Sequence, residues 1–399
     1  MRLRIDVEYL IEQLRKLLAI PSPSGYTDSV VRHCTEELQR LGLQPQLTRR
    51  GAIRAIRPGG ESHGARAVVS HLDTLGAQVK RVKENGRLEL VPIGYWSARF
   101  AEGARVTLFS EKGSYRGSIL PLKASGHTFN EEVDTQPVGW EFVELRVDAM
   151  TRSAADTLAL GIDIGDILAI DPQPEFLPNG FIVSRHLDNK AGVASMLACI
   201  QAIQREGAET PVDTHWLFTI NEEVGVGASS ILTLDVASLV AVDNGTTAPG
   251  QNSSEFGVTI AMADQTGPFD YHLTQKLVKL CREYDIRFQK DVFRYYRSDS
   301  ASAVEAGSDV RTALVTFGVD ASHGWERINV HALRSLAELL CVYVTSPVAI
   351  QRDASEMTGL KGFTRQPMRE AEQDEVPGMP APGESAPAPA GRGRSQGDS

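Results

Sequence analysis

Five short segments carry histidines and acids where they could act together: SHLDT (70–74), RHLDN (185–189), NEEVG (221–225), AVDNG (241–245) and ASHGWER (321–327). Each follows an apolar run of strand type. Singly they are weak signals. A His-x-Asp pair is usually a surface or hydrogen-bonded core feature, and Glu222-Glu223 reads as a solvated turn. Asp188 before a helix reads as an N-cap, and Asp243 as a turn former. His323 reads as a satisfied structural histidine. What carries information is their joint occurrence at the ends of five expected strands. In an open α/β sheet the carboxyl ends of the strands face a common crevice.

Together the residue types suit one chemistry. Two divalent cations about 3.5–4 Å apart repel and need a shared anionic bridge. An aspartate can supply that bridge. Each cation then takes a further carboxylate and an imidazole, donors suited to zinc, cobalt or manganese. Two histidines, one bridging aspartate and two other carboxylates make up this set. A surplus glutamate beside a ligand is then free to accept a proton from water, and a surplus aspartate beside a histidine can orient its ring. Glu222, next to Glu223, and Asp73, two after His71, fit those two roles. His186 makes a second His-Leu-Asp, and spacing alone leaves open whether His71 or His186 is the ligand.

These side chains need a rigid scaffold, and the sequence reads as α/β. Helices are expected near 6–18, with Leu10, Leu14, Leu17 and Leu18 on one face, and near 27–41, ended by Gly42. Strands follow near 45–49, 52–57 and 66–71. From 181 to 350 strand and helix alternate. FIVSRHLD leads into the helix NKAGVASMLACIQAIQ, HWLFTI into a helix over EEVGVGASSIL, and VHALRSLAELLCVYV closes the run. Repeated βα units imply a mainly parallel sheet covered by helices. Between 76 and 180 the pattern changes to short strands such as GRLELVPI, RVTLFS and WEFVELRV, parted by glycine turns. The expected division is a discontinuous α/β unit over 1–75 and 181–350, a small β-rich insert over 76–180 and a disordered tail over 351–399, whose end has no large apolar residue after Met379.

Composition narrows the class further. Hydrophobic residues make up 42% and charged residues 23% of 399 residues, enough to bury a core. The net charge of −10 without a basic stripe argues against nucleic acid as the main partner. The apolar residues of the N-terminus are spaced, unlike those of a signal peptide, and no run of about 18 apolar residues suggests a membrane span. Cys34, Cys199, Cys281 and Cys341 are far apart, which reads as free thiols in a reducing cytoplasm. A Gly-x-Ser-x-Gly elbow and a P-loop are both absent.

The segments HLDTLG, HLDNKAG, NEEVGVGA, VDNG and SHGWER resemble, in order, the motifs of the di-metal aminopeptidases related to glutamyl aminopeptidase, which include the tetrahedral aminopeptidases. The resemblance covers about 6–345. It implies a zinc-exopeptidase-like sheet sandwiched by helices, with the insert as a PDZ-like or barrel-like dimerisation domain. It also implies two divalent ions per subunit, a peptide or small amide substrate, and assembly as a homo-oligomer, from dimer up to dodecamer. Position by position it implies that His71 and Asp243 hold one ion, Glu223 and His323 the other, and Asp188 bridges them. Glu222 would be the general base and Asp73 the partner of His71. RYYRSDSASA resembles a substrate-side loop, in which Asp299 would help bind the substrate amine or order the site. GYWSARFAEGARV, DPQPEF and FRYYRSDSASAV resemble a subgroup associated with the osmolyte N-acetylglutaminylglutamine amide. Two rival expectations stand beside the aminopeptidase: a metal-dependent deacylase or amidase on a small N-acylated molecule, and an inactive binding or scaffold protein on the same fold.

Overall fold

A computed structural model describes residues 3–350 together with 353, 359, 360, 363, 364 and 366. The expected disordered tail over 351–399 lies outside the described residues apart from those few.

The chain opens with helices α1 (Val7–Ala19) and α2 (Asp28–Arg40). Asp6 caps α1 by accepting the Tyr9 N–H at 3.0 Å. Strands β1 (Pro45–Leu47), β2 (Ile53–Arg57) and β3 (Glu61–His71) follow. After an excursion described below come α6 (Leu187–Glu206), β12 (Val212–Thr219), β13 (Val236–Thr246), β14 (Val258–Asp264), β15 (Gly267–Pro268), α7 (Tyr271–Glu283), β16 (Phe288–Val292), α8 (Asp299–Glu305), β17 (Arg311–Val319) and α9 (Val330–Thr345). The main sheet has the order β1-β2-β12-β3-β13-β17-β14-β15, with β16 beside β14. Its centre, β12-β3-β13-β17, is wholly parallel. Those four strands therefore end at the same edge. Ala67, Val68 and Val69 of β3, Leu239 and Val240 of β13 and Ala313–Val315 of β17 are all buried, as expected of strands covered on both faces. Helices α1, α6, α9 and α7 pack successively on one another, and α6 and α9 also pack on the sheet.

The excursion is a closed barrel. Strands β4 (Gly76–Val82), β5 (Leu88–Ile93), β6 (Arg105–Ser110), β7 (Gly113–Pro121), β8 (Val143–Val147) and β9 (Ile167–Ile170) pair in the order β4-β5-β8-β7-β6-β9, and β9 closes onto β4. Three short helices, α3 (Gly126–Phe129), α4 (Glu132–Thr135) and α5 (Ala154–Ala159), lie between its strands. Alternate residues point inward: Val106 and Leu108, Leu88 and Leu90, Leu145 and Val147 form a core separate from that of the main sheet. Every strand has a partner on both sides, although β5 meets β8 only at Leu88↔Leu145.

Two expectations fail. FIVS, β11 (Phe181–Ser184), is not a strand of the main sheet. With β10 (Glu175–Phe176) and β18 (Glu326–Asn329) it forms a separate antiparallel three-stranded sheet. Asp188 therefore reaches the crevice from the non-helical entry to α6, where its ψ is 108°, while the other four segments come from the edge of the main sheet. The helix expected over EEVGVGASSIL is instead a run of turns. Gly225 has φ +79°, and Gly227 is so close to Asp299 that an added Cβ would lie 1.9 Å from its Oδ1. A helix is also incompatible with the side chains that hold this segment, described next.

Candidate active site

His71 is the last residue of β3, Asp243 lies near the end of β13, Glu222 and Glu223 follow β12, and His323 follows β17. α6 approaches β3 closely because Gly192 has no side chain: a Cβ there would meet Asn189 Oδ1 at 2.1 Å and Ser70 Oγ at 3.0 Å. This brings Asp188 under both histidines. His71 Nε2 is 3.2 Å from Asp188 Oδ1, and His323 Nε2 is 3.2 Å from Asp188 Oδ2. One carboxylate thus turns one oxygen to each ring. His71 Nε2 also faces Asp243 Oδ1 and Glu222 Oε2, each at 3.8 Å, and His323 Nε2 faces Glu223 Oε2 at 3.6 Å.

The tautomers follow from the far side of each ring. His71 Nδ1 lies 2.9 Å from the Asp73 carbonyl oxygen and His323 Nδ1 lies 2.8 Å from that of Tyr95. A carbonyl only accepts, so both Nδ1 atoms carry hydrogen and both Nε2 atoms turn inward. A lone pair set against a carboxylate oxygen is repulsive unless a cation lies between them. A proton on Nε2 can play that part as well as a metal ion. Burial opposes it, but the hydrogen bonds of Asp188 and Asp243 hold the His71 pKa well above the usual value. Against the same opposition Glu223 and Asp188 push His323 to about 11. Burial would raise Asp188, yet its hydrogen bonds to His323 and His71 hold it below the usual range. Burial pushes Glu222, Glu223 and Asp243 up, with the neighbouring carboxylates adding to it.

This arrangement fits divalent cations. Two ligand atoms each about 2.0–2.1 Å from a tetrahedral zinc are about 3.3 Å apart, close to the N···O distances found here. The donor atoms of His71, Glu222 and Asp243 lie within 4.8 Å of one another, as do those of His71, Asp188 and Glu223. Among the described residues, buried Glu223 Oε1 and Asn244 Oδ1 have no hydrogen-bond partner.

Supporting residues fix this geometry. Asp73 meets His71 most closely through its main-chain carbonyl; its carboxylate is 3.6 Å from Nδ1. That carboxylate accepts the Glu222 N–H at 3.2 Å and the Glu223 N–H at 3.3 Å, and is itself held by the Ser24 hydroxyl. Ser302 Oγ, on α8, accepts the Ala228 N–H at 3.0 Å. Asp299, pushed up to about 7 by burial, accepts from Thr219 Oγ1 at 2.7 Å and backs Gly227. Glu326, pushed up to about 8 by burial and then Asp188, accepts the N–H of Asp188 at 3.1 Å and of His323 at 3.0 Å. Asn244 donates to Asp188 Oδ2 at 2.5 Å. His186 is turned away, with Nε2 2.9 Å from the Ile170 carbonyl, and burial lowers it to about 4.

All seven site residues read from the sequence thus meet in one place. Sequence reasoning missed Ser24, Tyr95, Tyr296, Ser302 and Glu326. Glu326 sat three residues after His323 in a segment singled out for its acids, Tyr95, Tyr296 and Ser302 lay in segments quoted for their resemblance alone, and Ser24 lay in none of them. The cluster forms one wall of a cavity of about 1070 Å³, also lined by Tyr95, Gln251, Gln265, Arg294, Tyr295 and Tyr296. Burial and the adjacent Asp243, Asp188 and Glu222 push the Tyr296 phenol well above its usual value.

A family model described as M42 glutamyl aminopeptidase matches residues 51–339. The Bacillus subtilis (strain 168) protein named "Putative aminopeptidase YhfE" is 36% identical over 344 residues, covering 86% of this chain and 99% of that one. Among solved structures, a TET aminopeptidase from the marine sediment archaeon Thaumarchaeota archaeon SCGC AB-539-E09 superposes with a TM-score of 0.77 at 16% identity, covering 85% of this chain and 96% of that chain. The Pyrococcus horikoshii TET1 peptidase, described as assembling into a tetrahedron or a large octahedral shell, superposes with a TM-score of 0.74 at 21% identity over 85% of this chain and all of that one (100%). These likenesses share the α/β fold, and the deacylase and scaffold readings gain no support from them.

Proposed function

On the premise that this chain belongs to the M42 glutamyl aminopeptidase family, we propose that it is a di-metal aminopeptidase that removes residues from the free N-terminus of peptides. The observation that carries this reading is Asp188, one oxygen facing each of two histidines whose Nε2 atoms turn inward. In this reading His71 and Asp243 hold one divalent ion, Glu223 and His323 the other, and Asp188 both. Zinc suits the donors best, with cobalt or manganese as alternatives. Bound there, such ions lower the pKa of water and polarise a carbonyl.

The protein's own groups do the rest. Glu222 lies 3.8 Å from His71 Nε2 at the cavity wall. Its carboxylate takes a proton from the attacking water and returns it to the leaving amine. Asp73 holds the main chain of Glu222 and Glu223 with one carboxylate, so base and ligand move as a unit.

The same proposal extends to assembly and location. Exposed apolar side chains on the inserted region, Met150 and Ile164 among them, supply a surface for self-association of the kind described for the TET1 peptidase. No helix among the described residues is long and apolar enough to cross a membrane. Four buried free cysteines suit a reducing cytoplasm. The finer resemblance to the osmolyte-associated subgroup rests on sequence motifs alone.

The test is a substrate panel for metal-reconstituted protein that pairs free-amine aminoacyl amides with their N-acetylated forms. Hydrolysis confined to the free-amine members is the expected result. Hydrolysis confined to the acetylated members would replace this reading with that of an amidase.

A further inference from the structure

We propose that Tyr296 is a further catalytic residue, whose phenol donates a hydrogen bond to the oxyanion that forms from the scissile carbonyl. The inference rests on the aminopeptidase reading above.

Tyr296 follows β16 in a segment that is held on both sides. The Phe293 N–H donates to the Ala263 carbonyl at 3.0 Å, and the Tyr296 carbonyl accepts the Gln265 N–H at 3.0 Å. The Tyr296 ring packs on Phe293 with centroids 5.3 Å apart. Its neighbour Tyr295 is 88% exposed, so one of two successive tyrosines is turned to solvent and the other inward. Among the described residues the Tyr296 hydroxyl is shielded from solvent and makes no well-formed hydrogen bond, although the Asp243 carboxylate lies beside it, and the residue lines the cavity with Asp188, Glu222 and Asp243. A buried hydroxyl left unpaired costs about 1–3 kcal/mol, and such a group calls for an explanation.

The surrounding chemistry supplies one. The groups around the phenol are acceptors, and the Asn244 side-chain N–H₂ already donates to Asp188. A phenol of ordinary pKa near 10 keeps its proton at neutral pH. Tyr296 is therefore a neutral donor held at the wall where negative charge develops, and it needs no reorganisation to act. In the step it serves, the water oxygen bonds to the carbonyl carbon and Glu222 takes the water's proton. The carbonyl π pair moves onto the carbonyl oxygen, where the Tyr296 O–H meets it without transferring its proton. Collapse then re-forms the carbonyl and expels the amine, which leaves with the proton from Glu222.

The experiment compares Tyr296→Phe with the parent protein, both loaded with metal, on a free-amine aminoacyl amide. Bound metal is counted, and affinities are measured for an aminoalkylphosphonate, a tetrahedral mimic, and for the product amino acid. Loss of one such donor lowers kcat by about 10²–10³-fold. The expected result is that fall with KM and bound metal unchanged, the phosphonate weakened and the amino acid not. A kcat within about threefold of the parent overturns the inference and leaves the aminopeptidase reading standing. A fall in kcat that tracks lost metal, or a change confined to KM, also overturns it, since the phenol would then support Asp243 or bind the amine. A parent protein inactive on every amide sinks the reading and this inference with it.

Discussion

The barrel and the strand-end cluster treat buried charge in opposite ways. In the barrel, Glu144 is buried but meets Lys83 at 2.8 Å and also pairs with Arg87, all within the same module. Arg105 pairs with Asp148, and Arg116 with Asp171. At the strand ends, Asp73, Asp188, Glu222, Glu223, Asp243, Asp299 and Glu326 crowd around two histidines, and among the described residues none of these acids forms an ion pair with lysine or arginine. A region that closes its own charges is built to be stable. A region that leaves them open is built to take something in. The two regions still touch: the Tyr95 carbonyl, in the loop after β5, orients His323.

The contrast can be broken by experiment, most forcefully at Asp188. Asp188→Ala removes the oxygen that faces each histidine. Turnover should fall to background, and added zinc should no longer raise the melting temperature as it does for the parent protein. A zinc-dependent rise that survives would mean that the ions bind elsewhere. The opposite profile is expected in the barrel. Leu145→Ala empties part of a closed core and should lower stability by about 2–5 kcal/mol, with turnover per folded molecule unchanged. A fall in kcat there would show that the modules are coupled more tightly than the Tyr95 contact implies. Asp73→Asn is a gentler change that keeps the carbonyl on His71 and weakens the grip on Glu222 and Glu223. Loss of a supporting partner of this kind lowers metal affinity or activity by about 10–100-fold. Unchanged activity would remove Asp73 from the machinery.

Much of this was legible in the sequence, for a physical reason. Parallel strands buried on both faces read as apolar runs, and acids placed directly after such runs must face the crevice. His71, Glu222, Glu223, Asp243 and His323 were visible that way. The barrel showed itself through short alternating strands such as β6, where Val106 and Leu108 point inward. The failures came where tertiary contacts override local pattern. The EEVGVGASS segment was expected as a helix because it follows a strand in a βα alternation, but its two glycines disfavour one and Asp73, Asp299 and Ser302 hold it as turns. The strand FIVS looks like any buried strand, yet its partners are β10 and β18, and pairing partners leave no mark on a single strand's composition. Ser24 stands in a loop far away in sequence, and although Tyr95 and Tyr296 fall in the quoted segments GYWSARFAEGARV and RYYRSDSASA, no spacing marks either side chain as part of the cluster.

One measurement separates the account from its nearest competitor. The donor atoms of Glu222 lie within reach of His71 and Asp243, so the geometry would also let Glu222 serve as a ligand in place of a base. Glu222→Gln and Glu223→Gln, each reconstituted with zinc and dialysed, should be compared for bound metal and for turnover. Two ions and no turnover are expected in Glu222→Gln, and weakened binding of one ion in Glu223→Gln. A Glu222→Gln protein that loses an ion, or that still turns over, would contradict the role of Glu222 as base.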